Sequence, residues 1–460
     1  MSRRFDSACG LHSLGCMRYL PWFPAAGAVL AAAVGALGSE PAPLSSDPDI
    51  EKAVSSISIE RIQRSIFVLA SFRTRHTLSD PLPSGDGIGG AGAWIRAEFE
   101  RAANATGGKL RVDLDTFEQP AHPPWIPQPV EITNIVATLP GSTARTFVVC
   151  AHCDSRTGDI MDSQSPAPGA DDNASGVAAV LELARSLAPY DFGATLIFLV
   201  TTGGDQGGVG AAHWAEQAKQ QGLNIAGVID DDVIGRSRAA QAASGGSEVR
   251  VFAQGAPPAG GRSSELNALI AAGGENDTPT RALARAIQAA AGLYVPSMNV
   301  RLVYRTDRLQ GDGDHRPFLE RGFPAVRLAE ATDDPPAPAD TPDIIDFDYV
   351  TSVARVNGAA LASLARAPAP PTGATLEMPA PGGDAAVDWE PAGEAGVAGY
   401  RVVWRATTAP FWEHSLDVQG GALRAVVPGV APDDAIFGVE AFDAAGHLSP
   451  AAFAVPRPVR

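Results

Sequence analysis

Cysteine is nearly absent. Four residues in 460 cannot staple a chain of this length, so a disulfide scaffold is excluded and the fold must rest on a buried apolar core. Cys9 and Cys16 precede the apolar stretch from Leu20 to Leu37. Cys150 and Cys153 lie three apart on an expected strand, hence on opposite faces and out of easy bridging reach. No second cysteine pair exists to complete a thiolate zinc site. Positive charge is also short: 35 Lys and Arg stand against 52 Asp and Glu, a net charge of −17. A nucleic-acid partner or an anionic membrane surface is thereby disfavoured. Long apolar runs are confined to Leu20–Leu37, which follows basic residues and ends in small residues before Ser39-Glu40-Pro41. Eighteen residues containing two prolines make a poor transmembrane helix. We therefore expect residues 1–39 to be a cleaved signal peptide, the product to be exported to the periplasm or secreted, and no stable membrane insertion after cleavage. Repeats of 20 to 50 residues are missing as well.

What remains is a globular chain, 45% hydrophobic, made loop-rich by 48 Gly and 38 Pro. Ile59, Ile62, Ile66 and Leu69 form a helical stripe with Ser58 as its cap. The run Phe147-Val148-Val149-Cys150-Ala151 reads as a strand buried on both faces. Helix from Ser175 to Leu187, strand from Thr195 to Thr201, helix from Gly210 to Gln220 and strand from Ile225 to Asp232 then alternate as in a parallel α/β sheet. Composition changes at Arg366-Ala-Pro-Ala-Pro-Pro-Thr-Gly373, beyond which short strands follow without helix period. The expected organisation is a larger α/β domain over 40–366, a Pro-rich linker over 367–373 forming a protease-accessible joint, and a small all-β sandwich over 374–460. The last resembles a fibronectin type III module, with Trp389 and Tyr400 in its core strands.

Five clusters rich in Asp and His fall at strand ends or helix starts, where open α/β sheets place their sites. They are His152-Cys153-Asp154, Pro168-Gly-Ala-Asp171-Asp172-Asn173-Ala-Ser-Gly176, Gly203-Gly204-Asp205-Gln206-Gly207, Asp230-Asp231-Asp232, and Asp314-His315-Arg316-Pro317-Phe318. Each alone reads as a turn, a cap or a structural histidine. Together, two His and three carboxylates make a ligand set for one or two zinc ions.

From about Asp49 to Ala365 the chain resembles the di-zinc aminopeptidases of the bacterial leucyl type, whose relatives include glutamate carboxypeptidases, glutaminyl cyclases and transferrin receptors. The strings that carry the resemblance are these five clusters together with Asn134-Ile-Val-Ala-Thr-Leu-Pro-Gly141, Gly207-Gly-Val-Gly210, Asp232-Val-Ile-Gly235 and Gly322-Phe-Pro-Ala-Val326. It implies a phosphorylase/aminopeptidase-like α/β/α sandwich with a mixed sheet, a peptide substrate, and metal ligands His152, Asp171, Asp205, Asp232 and His315. Asp171 would bridge, and Asp154 would support His152.

One departure bears on activity. At the third cluster the family carries Gly-Glu-Glu, whose first Glu is the general base; here Gly204 takes that place and Asp205 takes the ligand place. Loss of a positioned base costs about 10²- to 10⁴-fold, so the expected protein is an exported zinc-dependent metallopeptidase, aminopeptidase-like and weakened. The alternative is a catalytically silent peptide-binding relative. Gly204→Glu is expected to restore turnover. Between Ala329 and Phe347 there is also no Tyr or His to assist the substrate carbonyl. Glu330 is read as a surface ion pair or, less simply, as a partner for a substrate amine.

Overall fold

The structure, a computed structural model, describes residues 46–237, 247–257, 262–309, 311, 313–331, 339–377 and 383–457. The expected signal peptide and most of the Ala331–Asp340 segment lie outside them. Strand β1 (Arg111–Gln119) pairs antiparallel with β2 (Val130–Leu139). β3 (Arg145–His152) is buried at every residue, as its unbroken apolar centre requires of a strand covered on both faces. β4 (Thr195–Thr201) and β5 (Asn224–Asp231) flank it in parallel, and β2 runs antiparallel to β4. β6 (Ser247–Ala253) and β7 (Met298–Val303) are additional strands, parallel to each other. β8 (Ala325–Ala329) joins β6 to β5, antiparallel to the first and parallel to the second. The result is a mixed eight-stranded sheet of order β1-β2-β4-β3-β5-β8-β6-β7.

The helices are α1 (Pro48–Ser55), α2 (Ile59–Ser71), α3 (Ile88–Ala105), α4 (Ala174–Leu187), α5 (Val209–Gln220), α6 (Ser264–Ala271), α7 (Pro279–Tyr294), α8 (His315–Glu320) and α9 (Phe347–Arg366). Ser58 caps α2 by accepting from the Arg61 amide, and the expected stripe buries Ile62, Ile66 and Leu69. α1 to α4, α7 and α9 share one large core with one face of the sheet. On the other face α5 and α8 bring Trp214 and Phe318 against Val148, Cys150 and Leu199. These are the three layers of an α/β/α sandwich.

After α9 come β9 (Thr372–Glu377), β10 (Ala385–Glu390), β11 (Val397–Ala406), β12 (His414–Gln419), β13 (Arg424–Val427), β14 (Ala435–Asp443), β15 (Ala452–Phe453) and β16 (Val455–Pro456). They form two four-stranded sheets, β13-β10-β9-β16 and β12-β11-β14-β15, which enclose their own core around Val387, Trp389, Tyr400, Val402 and Val439. The segment before them is not the accessible joint expected from its prolines. Ala367 is buried, and its carbonyl accepts from Arg145 Nη2 at 2.5 Å. Arg145 Nε pairs with Glu394 at 2.7 Å, and Glu394 Oε2 accepts from the Ala369 amide at 3.0 Å. Arg405 Nη2 reaches Asp277 Oδ2 at 2.7 Å across the same boundary. The described residues on both sides therefore belong to one compact unit.

Candidate metal centre

The parallel strands β3, β4 and β5 all end at one edge of the sheet, so the residues that leave them converge there. His152 closes β3, Asp232 follows β5, the Gly203–Asp205 turn follows β4, and the loop entering α4 carries Asp171 and Asp172. His152 Nε2 lies 3.3 Å from Asp172 Oδ1 and 3.7 Å from Asp232 Oδ1. Its Nδ1 lies 3.1 Å from the Asp154 carbonyl oxygen and 3.6 Å from Asp154 Oδ1. His152, Asp172 and Asp232 offer ligand atoms within 4.8 Å of one another, and so do His152, Asp154 and Asp205.

Asp154 organises the turn opposite. Its carboxylate accepts the amides of Gly203 at 2.8 Å, Gly204 at 3.0 Å and Asp205 at 3.0 Å. Burial opposes its charge, but the His152 hydrogen bond and those amides outweigh burial and hold its pKa at about 2. His152 itself is raised well above an ordinary imidazole: burial works against protonation, and hydrogen bonds to Asp154, Asp172 and Asp232 more than reverse it. Asp205 is pushed up by burial and by the charge of Asp172. Its Oδ1 accepts from Arg156 Nε at 2.8 Å, whereas Oδ2 is buried with no hydrogen-bond partner among the described residues. An orphaned carboxylate oxygen beside an imidazole and further carboxylates is what a bound cation would satisfy. The donor set, one nitrogen and several carboxylate oxygens, fits zinc.

Two of the expected ligands are not in this group. Asp171 is turned away: Oδ1 accepts from the Gly235 amide at 2.8 Å and Oδ2 from Arg236 Nε at 2.6 Å. Burial raises its pKa to about 7 although Arg236 pulls the other way. Asp172, its neighbour, faces His152 instead. His315 is fully buried with both ring nitrogens engaged, Nδ1 with Asp230 Oδ2 at 3.3 Å and Nε2 with the Thr306 carbonyl at 2.9 Å. Glu330 is not a surface residue; it is fully buried and pairs with Arg236 at 3.2 Å. Asp231 is held by Asn357 Nδ2 at 2.7 and 2.8 Å.

Gly204 has a steric reason to be glycine in this arrangement. A Cβ there would lie 2.5 Å from His152 Cγ and 2.6 Å from its Cβ, so Glu cannot be added without displacing the imidazole. The expected rescue by Gly204→Glu therefore does not fit the geometry. Arg327 is a further residue of the centre that the motifs did not point to. It is fully buried on β8, with Nη2 3.2 Å from Asp232 Oδ2 and Nη1 2.9 Å from Asp307 Oδ1, and it holds the Asp232 pKa far below the usual range against burial. A lone Arg inside Ala325-Val326-Arg327-Leu328-Ala329 was the available signal, because a charge in a buried strand needs a partner.

Comparison with known proteins adds to this geometry. The sequence profile of peptidase family M28 matches residues 134–361. A probable zinc metalloprotease of Pyrenophora teres f. teres is 36% identical over 435 residues, which is 91% of this chain and 89% of the relative. A second, from Leptosphaeria maculans, is 38% identical over 430 residues, 90% of this chain and 98% of its own. Among solved structures, the LapA aminopeptidase of Legionella pneumophila aligns with a TM-score of 0.50 and 19% identity over 73% of this chain and 78% of that one.

Proposed function

Because the chain belongs to peptidase family M28, we propose that it is an exported zinc metallopeptidase, aminopeptidase-like, that hydrolyses peptide bonds at the cluster around His152. The observation that carries this reading is the convergence of His152, Asp172 and Asp232, with Asp154 and Asp205 adjoining. Zinc held by these residues supplies Lewis acidity for amide hydrolysis. The chain's own contribution is positional. Asp154 fixes the imidazole and the Gly203–Asp205 turn at once, Arg327 keeps Asp232 ionised, and Arg156 orients Asp205. Export is supported by the apolar sequence from Leu20 to Leu37; among the described residues, no helix is long and apolar enough to cross a membrane. The β region beyond Thr372 is read as fibronectin type III-like, and the metal count as one or two.

Gly204 favours a weakened enzyme, because no side chain stands there to accept a proton, and it also motivates a second reading, a silent peptide-binding protein of the same fold. Metal stoichiometry by elemental analysis, combined with hydrolysis of aminoacyl-anilides, separates the two. Zinc uptake with slow turnover that chelation abolishes is expected. Zinc uptake with no turnover on any peptide, or no uptake on zinc titration, would overturn the enzymatic reading in favour of the silent one.

A further inference from the structure

We infer that Arg75 is a positioning residue for His152 and Asp172, setting the gap between them from a segment that precedes the M28 match. The inference rests on the zinc reading above. Arg75 lies just beyond α2, and its side chain is completely buried. The guanidinium's hydrogen bonds run to backbone carbonyls: Nε to Cys153 at 2.8 Å, Nη1 to Leu69 at 3.0 Å and to Pro168, and Nη2 to Gly169 at 2.8 Å. Cys153 stands between His152 and Asp154, and Pro168 and Gly169 lead into Asp172. One planar fork thus ties the end of β3 to the loop that presents Asp172 to His152.

The backbone repeats the same link. The Arg75 amide donates to Ser155 Oγ at 3.2 Å, and Ser155 Oγ donates to the Ala167 carbonyl at 2.8 Å. On the far side of the loop, Asp340 accepts the amides of Asp171 at 2.8 Å and Asp172 at 3.0 Å. The loop is therefore gripped by a cation on its carbonyls and by a carboxylate on its amides. Gly169 makes this possible: its φ is +54°, and a Cβ there would come within 2.8 Å of Arg75 Nη2. Lysine could not substitute, since its three donors radiate from one point, whereas the guanidinium presents five in a rigid plane.

The test compares the wild type with Arg75→Lys and the milder Ser155→Ala, and uses Arg405→Lys as a buried arginine remote from the centre. Zinc affinity is measured by competition with a chelator, ligand geometry by the visible spectrum of the cobalt-loaded protein, and amide exchange at residues 153–155 and 169–173 in the metal-free protein. Arg75→Lys should lose about 10- to 100-fold in zinc affinity, the range for residues that orient ligands, with altered cobalt bands and faster exchange in both segments. Ser155→Ala should show the same changes, smaller. Arg405→Lys should lower the unfolding temperature and leave zinc affinity unchanged. Wild-type zinc affinity and cobalt bands in both Arg75→Lys and Ser155→Ala would overturn the inference, whatever their unfolding temperatures. Should Arg75→Lys fail to fold, Ser155→Ala decides by the same readouts. A wild type that binds no zinc overturns the zinc reading first and this inference with it.

Discussion

The two sides of the centre are built differently. On the β5 side, Asp172 and Asp232 face His152 within 3.7 Å, and each is held from behind, Asp172 through its amide by Asp340 and Asp232 by Arg327. On the β4 side, the turn is fixed through Asp154, yet it offers only Asp205, with one oxygen unpartnered among the described residues, and Gly204. Both sides are therefore anchored by hydrogen bonds or ion pairs, and they differ in side-chain chemistry. The difference teaches that the two sides can be anchored alike and still present different groups: carboxylates with charges packed behind them on one, Asp205 beside a residue without a side chain on the other.

The sharpest way to break that comparison is to exchange the paired aspartates. Asp172→Asn should weaken zinc binding by more than the roughly 10- to 100-fold that a supporting residue costs, whereas Asp171→Asn should stay within that range; equal losses by chelator competition would erase the distinction between them. Next in size is Gly204→Ala. Its Cβ must displace the His152 ring, and we expect a loss of about 10-fold or more in zinc affinity with no gain in turnover; a faster enzyme would show that the β4 side has room for a base after all. The β4 side also depends on Asp154, whose folded pKa of about 2 lies below its ordinary 3.8. A depressed carboxylate pKa stabilises the fold above pH 3.8, and that contribution, about 2 kcal/mol, is lost as pH falls toward 2. Asp154→Asn should flatten the acid limb of the stability curve over that window. Smallest is the proton linkage at His152. Its raised pKa means that zinc must displace a proton, so affinity should fall by about tenfold for each pH unit below that pKa. Calorimetry in buffers of different ionisation enthalpy would reveal the released proton, and no buffer dependence would place His152 outside the ligand set.

The sheet's central alternation was legible because β3, β4, β5 and the helices between them carry uninterrupted apolar or periodic runs. β6 was not legible although it buries Val249, Val251, Phe252 and Ala253, since Ala, Gly and Ser dominate the sequence just before it. Within the site, His152, Asp154, Asp205 and Asp232 could be named because each closes or follows a strand whose direction was readable. The resemblance implies Asp171 as the bridging ligand, yet Asp172 faces His152: the two sit in a loop without period, and only the Gly235 amide and Arg236 decide that Asp171 turns away. His315 lies outside the group for a related reason: its motif fixes the helix start, but its ring is occupied by the buried Asp230, 85 residues away in sequence, and by the Thr306 carbonyl, nine residues away. Arg75 left no motif, because it recognises backbone carbonyls, which every residue has.

Arg145 stands at the start of the same strand that ends in His152, and its guanidinium is shared between Ala367, Leu364 and Glu394. A gene fragment stopping at Arg366 would strip that cation of Glu394 and Ala367 inside a protein interior, where an unmatched charge is strongly unfavourable. The C-terminal sheets are thus tied, through position 145, to the very strand that delivers His152 to the metal centre: a protein without that module would need a different residue at 145.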